Sequence, residues 1–540
     1  SKPKFIMMNQ FLHANDVDPR LAEVRTENGA LSYKTFGSEL MNQFGKAGGY
    51  RGRPMVDVWA DQSALWAEDS RMALLFPFYL RLITRKPQLV NTENVQRGPG
   101  NRDESFKRFL WIAKYHPDEF YANLWLIPLF GSWKDVWEIM VMGDDGKYLE
   151  YKKFFDVINC GLNCETTSEL VKKYLPQIRS TKKCVTDRAK KLNMLAKSFA
   201  YYCGLTQKQY RSLKTSGTAH KFQTIICDKR YDKLDWKTIP GKALMNLVNG
   251  NFLDKHNLVD SYIDWVNSQN TIKFNGYPYE LSRKLQNNPS RATVLTVNKQ
   301  FDELISTGKK DGGAITGNVL CALDTSGSMS SPIDYNGTLT AFDVCVSLGI
   351  YFSTLNTGEF KDVVAMFDDV SSLMSLKGTF ADKLSQIKRA RTAWGSTNFQ
   401  SLIDLIVKTR TEQPEIPLED YPKTLLVVSD MQFNPSGWGN RVSEQTNYET
   451  AMKKLRSAFP KEFVDDFKII WWFCTNRYTA DFPSNCECGG TYMMSGFDGA
   501  TVSFILGGEQ KNNTEKVQKT MEDVINEAFS QDIFSLIKFK

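Results

Sequence analysis

From about Ala60 to Gly308 apolar residues recur mainly at three- and four-residue spacing, and continuous apolar runs of the kind found in buried strands are scarce. This half of the chain is therefore predicted to be helical. A helix over 64–83 would place Leu65, Ala67, Met72, Leu75, Tyr79 and Leu82 on one broad face, and a helix over 104–115 would do the same for Phe106, Phe109, Leu110 and Ile112. Ser132 is suited to N-cap an aromatic helix, Trp133–Met142, and Thr186 or Asp187 to cap a long basic helix over 188–203. Further helices are expected over 168–178, 258–268, 279–286 and 297–306. Short Pro, Gly and Asn punctuation between them predicts helical pairs stacked as a HEAT-like solenoid, although no repeat signature aligns.

The pattern changes at Lys309-Lys310-Asp311-Gly312-Gly313, a polar hinge. Beyond it, compact runs rich in branched and aromatic residues predict strands at Val319–Asp324, Val363–Phe367, Thr424–Ser429, 469–474 and 502–506. Helical spacing returns over Ala341–Leu355, 382–393, 402–410, 448–458 and 514–529. This alternation predicts a doubly wound parallel sheet, in which a ligand site lies at the carboxyl ends of the strands. The expected organisation is an N-terminal arm (1–24), a helical-repeat domain (25–310) and an α/β domain (311–540).

Composition sharpens this division. The 540 residues, 42% hydrophobic and 12% aromatic, can bury more than one core. The formal charge of +7 hides an asymmetry: residues 311–540 hold 21 Lys and Arg against 29 Asp and Glu, and the remainder 47 against 32. A basic half points to a polyanionic partner. No stretch reaches the roughly 18 to 20 uncharged apolar residues of a membrane-spanning helix, and the richest run, 73–83, contains Arg81. Neither a membrane span nor a secretory leader is expected, and a cytoplasmic location is. Ten cysteines at this length predict free thiols. Cys160 with Cys164 and Cys486 with Cys488 lack the second pair that zinc requires.

The strongest chemistry follows the first predicted strand, in Asp324-Thr325-Ser326-Gly327-Ser328. One carboxylate and two hydroxyls within five residues are hard oxygen ligands suited to Mg²⁺ or Mn²⁺. Gly395-Ser396-Thr397-Asn398 opens a helix, and Val427-Val428-Ser429-Asp430 ends another strand. Together these segments resemble the metal-ion-dependent adhesion site of von Willebrand factor A domains, over roughly residues 317–540. The resemblance implies a metal held by Asp324, Ser326, Ser328, Thr397 and Asp430. It also implies an open coordination position for a partner's carboxylate.

The helical half carries further signatures: Arg25-Thr26-Glu27-Asn28-Gly29-Ala30, Leu65-Trp66-Ala67-Glu68-Asp69, the run from Leu124 through Pro128 and Ser132 to Asp135, and Ile239-Pro240-Gly241-Lys242-Ala243-Leu244. With the adhesion-site motif they resemble a family of plant, fungal, viral and phage proteins that joins a TROVE-like helical half to a von Willebrand A half. The architecture is similar to that of the Ro ribonucleoproteins, whose helical repeats close into a ring that binds RNA. That resemblance implies an RNA partner and, for a viral member, a place in the host-cell cytoplasm or the virion.

Candidate RNA contacts come from charge. Lys172, Lys173, Arg179, Lys182, Lys183, Arg188, Lys190 and Lys191 form one cluster, interleaved with Tyr174 and followed by Tyr201, Tyr202 and Tyr210. A second is Lys229, Arg230, Lys233, Lys237 and Lys242 around Tyr231 and Trp236, and Arg51, Arg53, Arg102, Lys107 and Arg108 group more loosely. Trp111, Trp125, Trp133 and Trp137 fall at core positions of helices, and Trp471 and Trp472 in a buried strand. The Gly-rich run 45–50 lacks the spacing of a nucleotide-binding loop. The expectation is a non-enzymatic RNA-binding protein with a magnesium adhesion site for ring closure or partner recruitment. The alternative is an assembly component, viral or host-directed, that captures a partner carboxylate through the metal.

Overall fold

The structure is a computed structural model and describes residues 23–83, 95–217, 221–310, 315, 317–334, 337–391, 395–436, 445–476, 481–506 and 519–540. Most of the N-terminal arm and hinge residues 311–313 lie outside the described residues. Apart from a short two-stranded hairpin near the start, the regular elements up to Lys310 are helices, and a six-stranded sheet interleaved with helices follows.

Two compact units emerge, each discontinuous in sequence. One comprises Arg53–Pro240 and Phe529–Lys540, the other Ser1–Gly52 and Gly241–Ala528. The helix Arg291–Lys310, which ends at the expected hinge, packs on the helices Ala341–Leu355 and Phe380–Ala390 beyond it. Phe301 stacks on Phe380 with ring centroids 4.2 Å apart. The change from helical to alternating pattern thus falls within one packed unit.

In the helical unit the expected helix over 64–83 is two, Met55–Glu68 and Ser70–Arg81, because Asp69 leaves helical geometry and caps the second through Met72 N–H (2.9 Å). Ser132 caps Trp133–Met142 in a capping box with Asp135, and Thr186 caps Asp187–Tyr202 through Ala189 N–H (3.2 Å). Trp111 and Trp137 are core residues, and Trp133 packs on Gly161. Trp125, predicted to be core, stands 38% exposed on the short turn Leu124–Leu126. Arg53, Arg108 and Glu104 form a buried ionic cluster with the partly exposed Asp61 (Arg53–Asp61 2.6 Å, Arg108–Glu104 3.1 Å). Lys107 donates to the Arg53 carbonyl at 2.6 Å, and Arg102 pairs with Asp135 at 3.2 Å. These contacts tie Arg53, Lys107 and Arg108 into the packing of the helical unit, whereas Arg102 keeps 43% of its side chain exposed.

In the second unit the strands β1 (Glu23–Arg25) and β2 (Leu31–Tyr33) form an antiparallel hairpin. The large sheet contains β3 (Val319–Asp324), β4 (Val363–Phe367), β5 (Ser371–Ser375), β6 (Thr424–Ser429), β7 (Lys468–Phe473) and β8 (Thr491–Ser495), in the order β5-β4-β3-β6-β7-β8. All neighbours are parallel except β4 and β5. The sheet is therefore mixed, not wholly parallel. Its central strands β3 and β6 are buried throughout, as continuous apolar runs between helical layers require. The strand expected over 502–506 is helical instead, a turn Gly499–Val502 capped by Asp498 and then Ser503–Leu506. The sixth strand is β8.

The Gly-rich run 45–50 has a packing role. A side chain at Gly48 would come within 2.5 Å of the Ser495 carbonyl, and Gly49 N–H donates to Ser495 Oγ (3.1 Å), which brings the helix Glu39–Lys46 and the turn after it against β8.

Candidate functional site at the sheet switch point

Strand order reverses between β3 and β6, whose carboxyl ends deliver Asp324 and Asp430. Asp324 is fully buried. Its Oδ1 accepts the Ser326 N–H (2.9 Å) and its Oδ2 accepts the Ser429 hydroxyl (2.6 Å). Burial, with Asp430 adding repulsion, pushes the Asp324 carboxyl up to about 7 against the hydrogen bonds from Ser326 and Ser429. Ser326 and Ser328 lie with hydroxyl oxygens 3.2 Å apart. Buried Asp430 accepts the Gln432 N–H at 3.1 Å.

Thr397 reaches the same place on the loop before the helix Phe399–Glu412. Gly327 N–H donates to the Gly395 carbonyl (3.1 Å), and Asn434 N–H to the Thr397 carbonyl (2.9 Å), tying the three loops together. A side chain at Gly395 would come within 2.7 Å of Asp369 Oδ2, so a larger residue there would displace that carboxylate. Asp369 accepts the Ser396 N–H at 3.0 Å and its hydroxyl. Those bonds hold the Asp369 carboxyl below its ordinary range.

Two supports were not legible as site residues. Arg391 donates to the carbonyls of Thr325 (3.3 Å) and Ser326 (3.1 Å) and to Ser330 Oγ (3.0 Å), with its guanidinium 4.0 Å over Phe342. The β1–β2 hairpin braces the loop after Asp430: Thr26 Oγ1 donates to the Phe433 carbonyl (2.7 Å), Gln432 Oε1 accepts the Glu27 N–H (2.8 Å), and Asn28 Nδ2 donates to the Gln432 carbonyl. Within that loop Met431 takes φ +63°, strained for a side chain of its size, and its N–H is held by Ser429 Oγ at 2.9 Å. The Arg25–Ala30 signature is thus a brace for this site.

The donors gathered here are hard oxygens. Among the described residues no group of three or more His, Cys, Asp and Glu side chains could hold a metal, and at this site the carboxylates of Asp324 and Asp430 stand with the hydroxyl-bearing residues Ser326, Ser328 and Thr397. The set fits a small divalent cation, which would relieve the repulsion of two carboxylates in a dry site. All ten cysteines are free, as expected, and Cys345 and Cys474 are buried beneath the site, with Cys345 Sγ 3.3 Å from the Val428 carbonyl and Cys474 Sγ 3.4 Å from that of Ser429.

The basic candidates other than Arg51 and Lys242 belong to the helical unit. Residues 172–240 contain 17 Lys and Arg against 4 Asp and Glu, so this segment concentrates the cationic excess. Several of the named residues are engaged: Lys172 with Glu169 (3.1 Å), Arg188 with Glu138, Lys190 with Asp187 (3.0 Å), Lys191 with Asp144 (2.8 Å), and Arg179 with Gln177 (2.9 Å). Lys173 lies over Tyr174 at 5.3 Å. Lys182 and Lys183 are exposed and make no ion pair among the described residues. Tyr201 is 88% exposed, whereas Tyr210 and Trp236 are core.

An aromatic surface that no local sequence pattern announces lies elsewhere in this unit. Lys114 Nζ sits 5.0 Å from the Trp59 ring centre, 4.7 Å from Tyr115 and 5.9 Å from Tyr148. Trp59 is oriented by its N–H on the Lys107 carbonyl (2.9 Å), Tyr115 is 50% exposed, and Trp66 stacks on His116 at 3.9 Å. Half-open rings with a lysine among them suit unpaired bases.

Fold and site define a protein of two kinds of structure, a helical unit with a strongly basic segment and an α/β unit with an oxygen-rich cluster at its switch point. Residues 318–535 match a domain of unknown function, DUF7788. The chain is similar to the uncharacterized protein L728 of Acanthamoeba polyphaga mimivirus, 24% identical over 95% of this chain and 90% of that protein. Among solved structures it is similar to the Ro (RSR) protein of Deinococcus radiodurans, with 13% identity and a TM-score of 0.44 over 86% of this chain and 97% of that one. Among the described residues no helix is long and apolar enough to cross a membrane.

Proposed function

We propose that the protein binds RNA through its helical unit and a divalent cation, Mg²⁺ foremost, through an adhesion site of the von Willebrand A kind in its α/β unit. The carrying observation is the density of cationic residues over 172–240. Lysine and arginine gain free energy at phosphates by releasing counterions, and exposed Tyr201 and Tyr115 add stacking faces. The activity is binding and not catalysis, and the place of action is the cytoplasm, of a host cell if the protein is viral.

In the α/β unit Asp324, Ser326, Ser328, Thr397 and Asp430 would hold the cation directly or through water. When bound, it would supply a coordination position for an acidic group. Five protein oxygens around an ion that takes six ligands favour the second reading as well, in which a partner protein's carboxylate is captured there.

The test is fluorescence anisotropy of single-stranded and structured RNA across a salt series. Affinity should fall steeply with salt. The double variant Lys182→Gln/Lys183→Gln should reduce the slope of log K against log salt by about 1.4, for two lost contacts to a single strand. Affinity no better than that of a charge-matched control protein would sink the proposal.

A further inference from the structure

Residues from three separate stretches of the basic segment 172–240 line one open cleft of about 630 Å³ in the helical unit. Lys214 enters from the helix Gln207–Thr215, Arg230 and Lys233 from the turn around Tyr231–Lys233, and the amides of Gln177 and Gln223 complete the wall with Thr215. Among the described residues no Asp or Glu lines it. The carboxylates close by are already engaged, Glu169 beside Gly217 with Lys172 (3.1 Å) and Asp228 with Arg230 (2.8 Å). Lys233 makes no ion pair among the described residues.

Three cations, Lys214 held on the Lys173 and Leu175 carbonyls, Arg230 paired with Asp228, and Lys233, converge with two amides and two hydroxyls in a volume that suits a single small ligand. Like charges held together raise one another's cost, which an anion of two charges offsets. The amides can accept and donate at once, as the edge of a base or a ribose requires, and Ile225 is the apolar residue beside them. We infer that this cleft is a binding site for a phosphate monoester of nucleotide size, either a free nucleoside monophosphate or the phosphorylated end of a polynucleotide. The site is distinct from the diffuse phosphate-backbone contacts proposed above and stands or falls separately from them.

The experiment titrates the full chain with adenosine, AMP, and an oligoribonucleotide carrying either a 5′-phosphate or a 5′-hydroxyl. AMP should bind at least about tenfold more tightly than adenosine, since charge-assisted contacts to phosphate are the strong ones. Arg230→Gln/Lys233→Gln should abolish that difference, while Lys388→Gln/Arg389→Gln, equal in charge removed and exposed on the helix Phe380–Ala390 of the other unit, should keep it. If the 5′-phosphate gives the oligonucleotide the same advantage and AMP competes it away, the cleft takes the RNA end. If the advantage is confined to AMP, it takes the free nucleotide. AMP binding no better than adenosine in the wild-type protein overturns the inference, and the 5′-hydroxyl oligonucleotide then reports independently whether RNA binds at all.

Discussion

Asp135 holds three elements at once. Its Oδ2 accepts Arg81 Nε (2.8 Å) and the Ser132 N–H (3.0 Å), while its Oδ1 lies 3.2 Å from Arg102 Nε, all in a fully buried position. Removing the carboxylate strands the buried guanidinium of Arg81, and breaking a buried pair on one side costs about 3–5 kcal/mol. Asp135→Ala should therefore lower the stability of the helical unit by that amount in urea denaturation followed by tryptophan fluorescence; a loss under 1 kcal/mol would refute this account. Exposed Asp369 is weaker and pH-dependent. Its carboxyl is held below the ordinary value of 3.8 by Ser396, so its contribution is present above that value and is lost as pH falls through the lower folded-state one. Asp369→Ala should cost about 1 kcal/mol at neutral pH, little because the carboxylate is exposed, and the melting curves of variant and wild type should converge in acid. The Asp324 to Ser328 donors were legible at this scale because five consecutive residues carry them. Trp59, Tyr115 and Tyr148 were not, because only folding brings them together.

At the scale of elements, β3, β4 and β6 were read to the residue because each is a short apolar run bounded by polar turns. The edge strand β5, Ser-Ser-Leu-Met-Ser, buries no continuous face and gave no signal. Residues 499–506 show the converse error, since an apolar run without flanking context reads equally as strand or buried helix until Asp498 caps it. The β1–β2 hairpin was recognised as a signature without its role, which rests on contacts more than 400 residues away in sequence. That role is testable. Thr26→Val/Asn28→Ala removes two side-chain bonds to the loop that follows Asp430, and Mn²⁺ affinity by calorimetry should fall about tenfold, the effect of roughly 1.4 kcal/mol at two exchanged hydrogen bonds. Unchanged affinity in a variant that melts like wild type would show the brace to be irrelevant to the site.

At the scale of the whole molecule, the basic segment and the oxygen cluster belong to different compact units, Arg53–Pro240 with Phe529–Lys540 and Ser1–Gly52 with Gly241–Ala528. Chelation and charge variants should therefore act on different observables. Adding EDTA should lower the melting temperature of the α/β unit, because a ligand that binds only the folded state stabilises it by mass action, and Asp324→Ala should make the protein insensitive to EDTA. RNA affinity would decide what the proposed cation is for. Measured at constant ionic strength, so that Mg²⁺ does not merely compete as a counterion, Asp324→Ala should leave RNA affinity within about twofold if the cation serves a protein partner. A fall as large as that of Lys182→Gln/Lys183→Gln would instead couple the two units through the metal. We expect the first outcome, since the contacts that brace the oxygen cluster through Thr26, Asn28, Asp369 and Arg391 lie within its own unit.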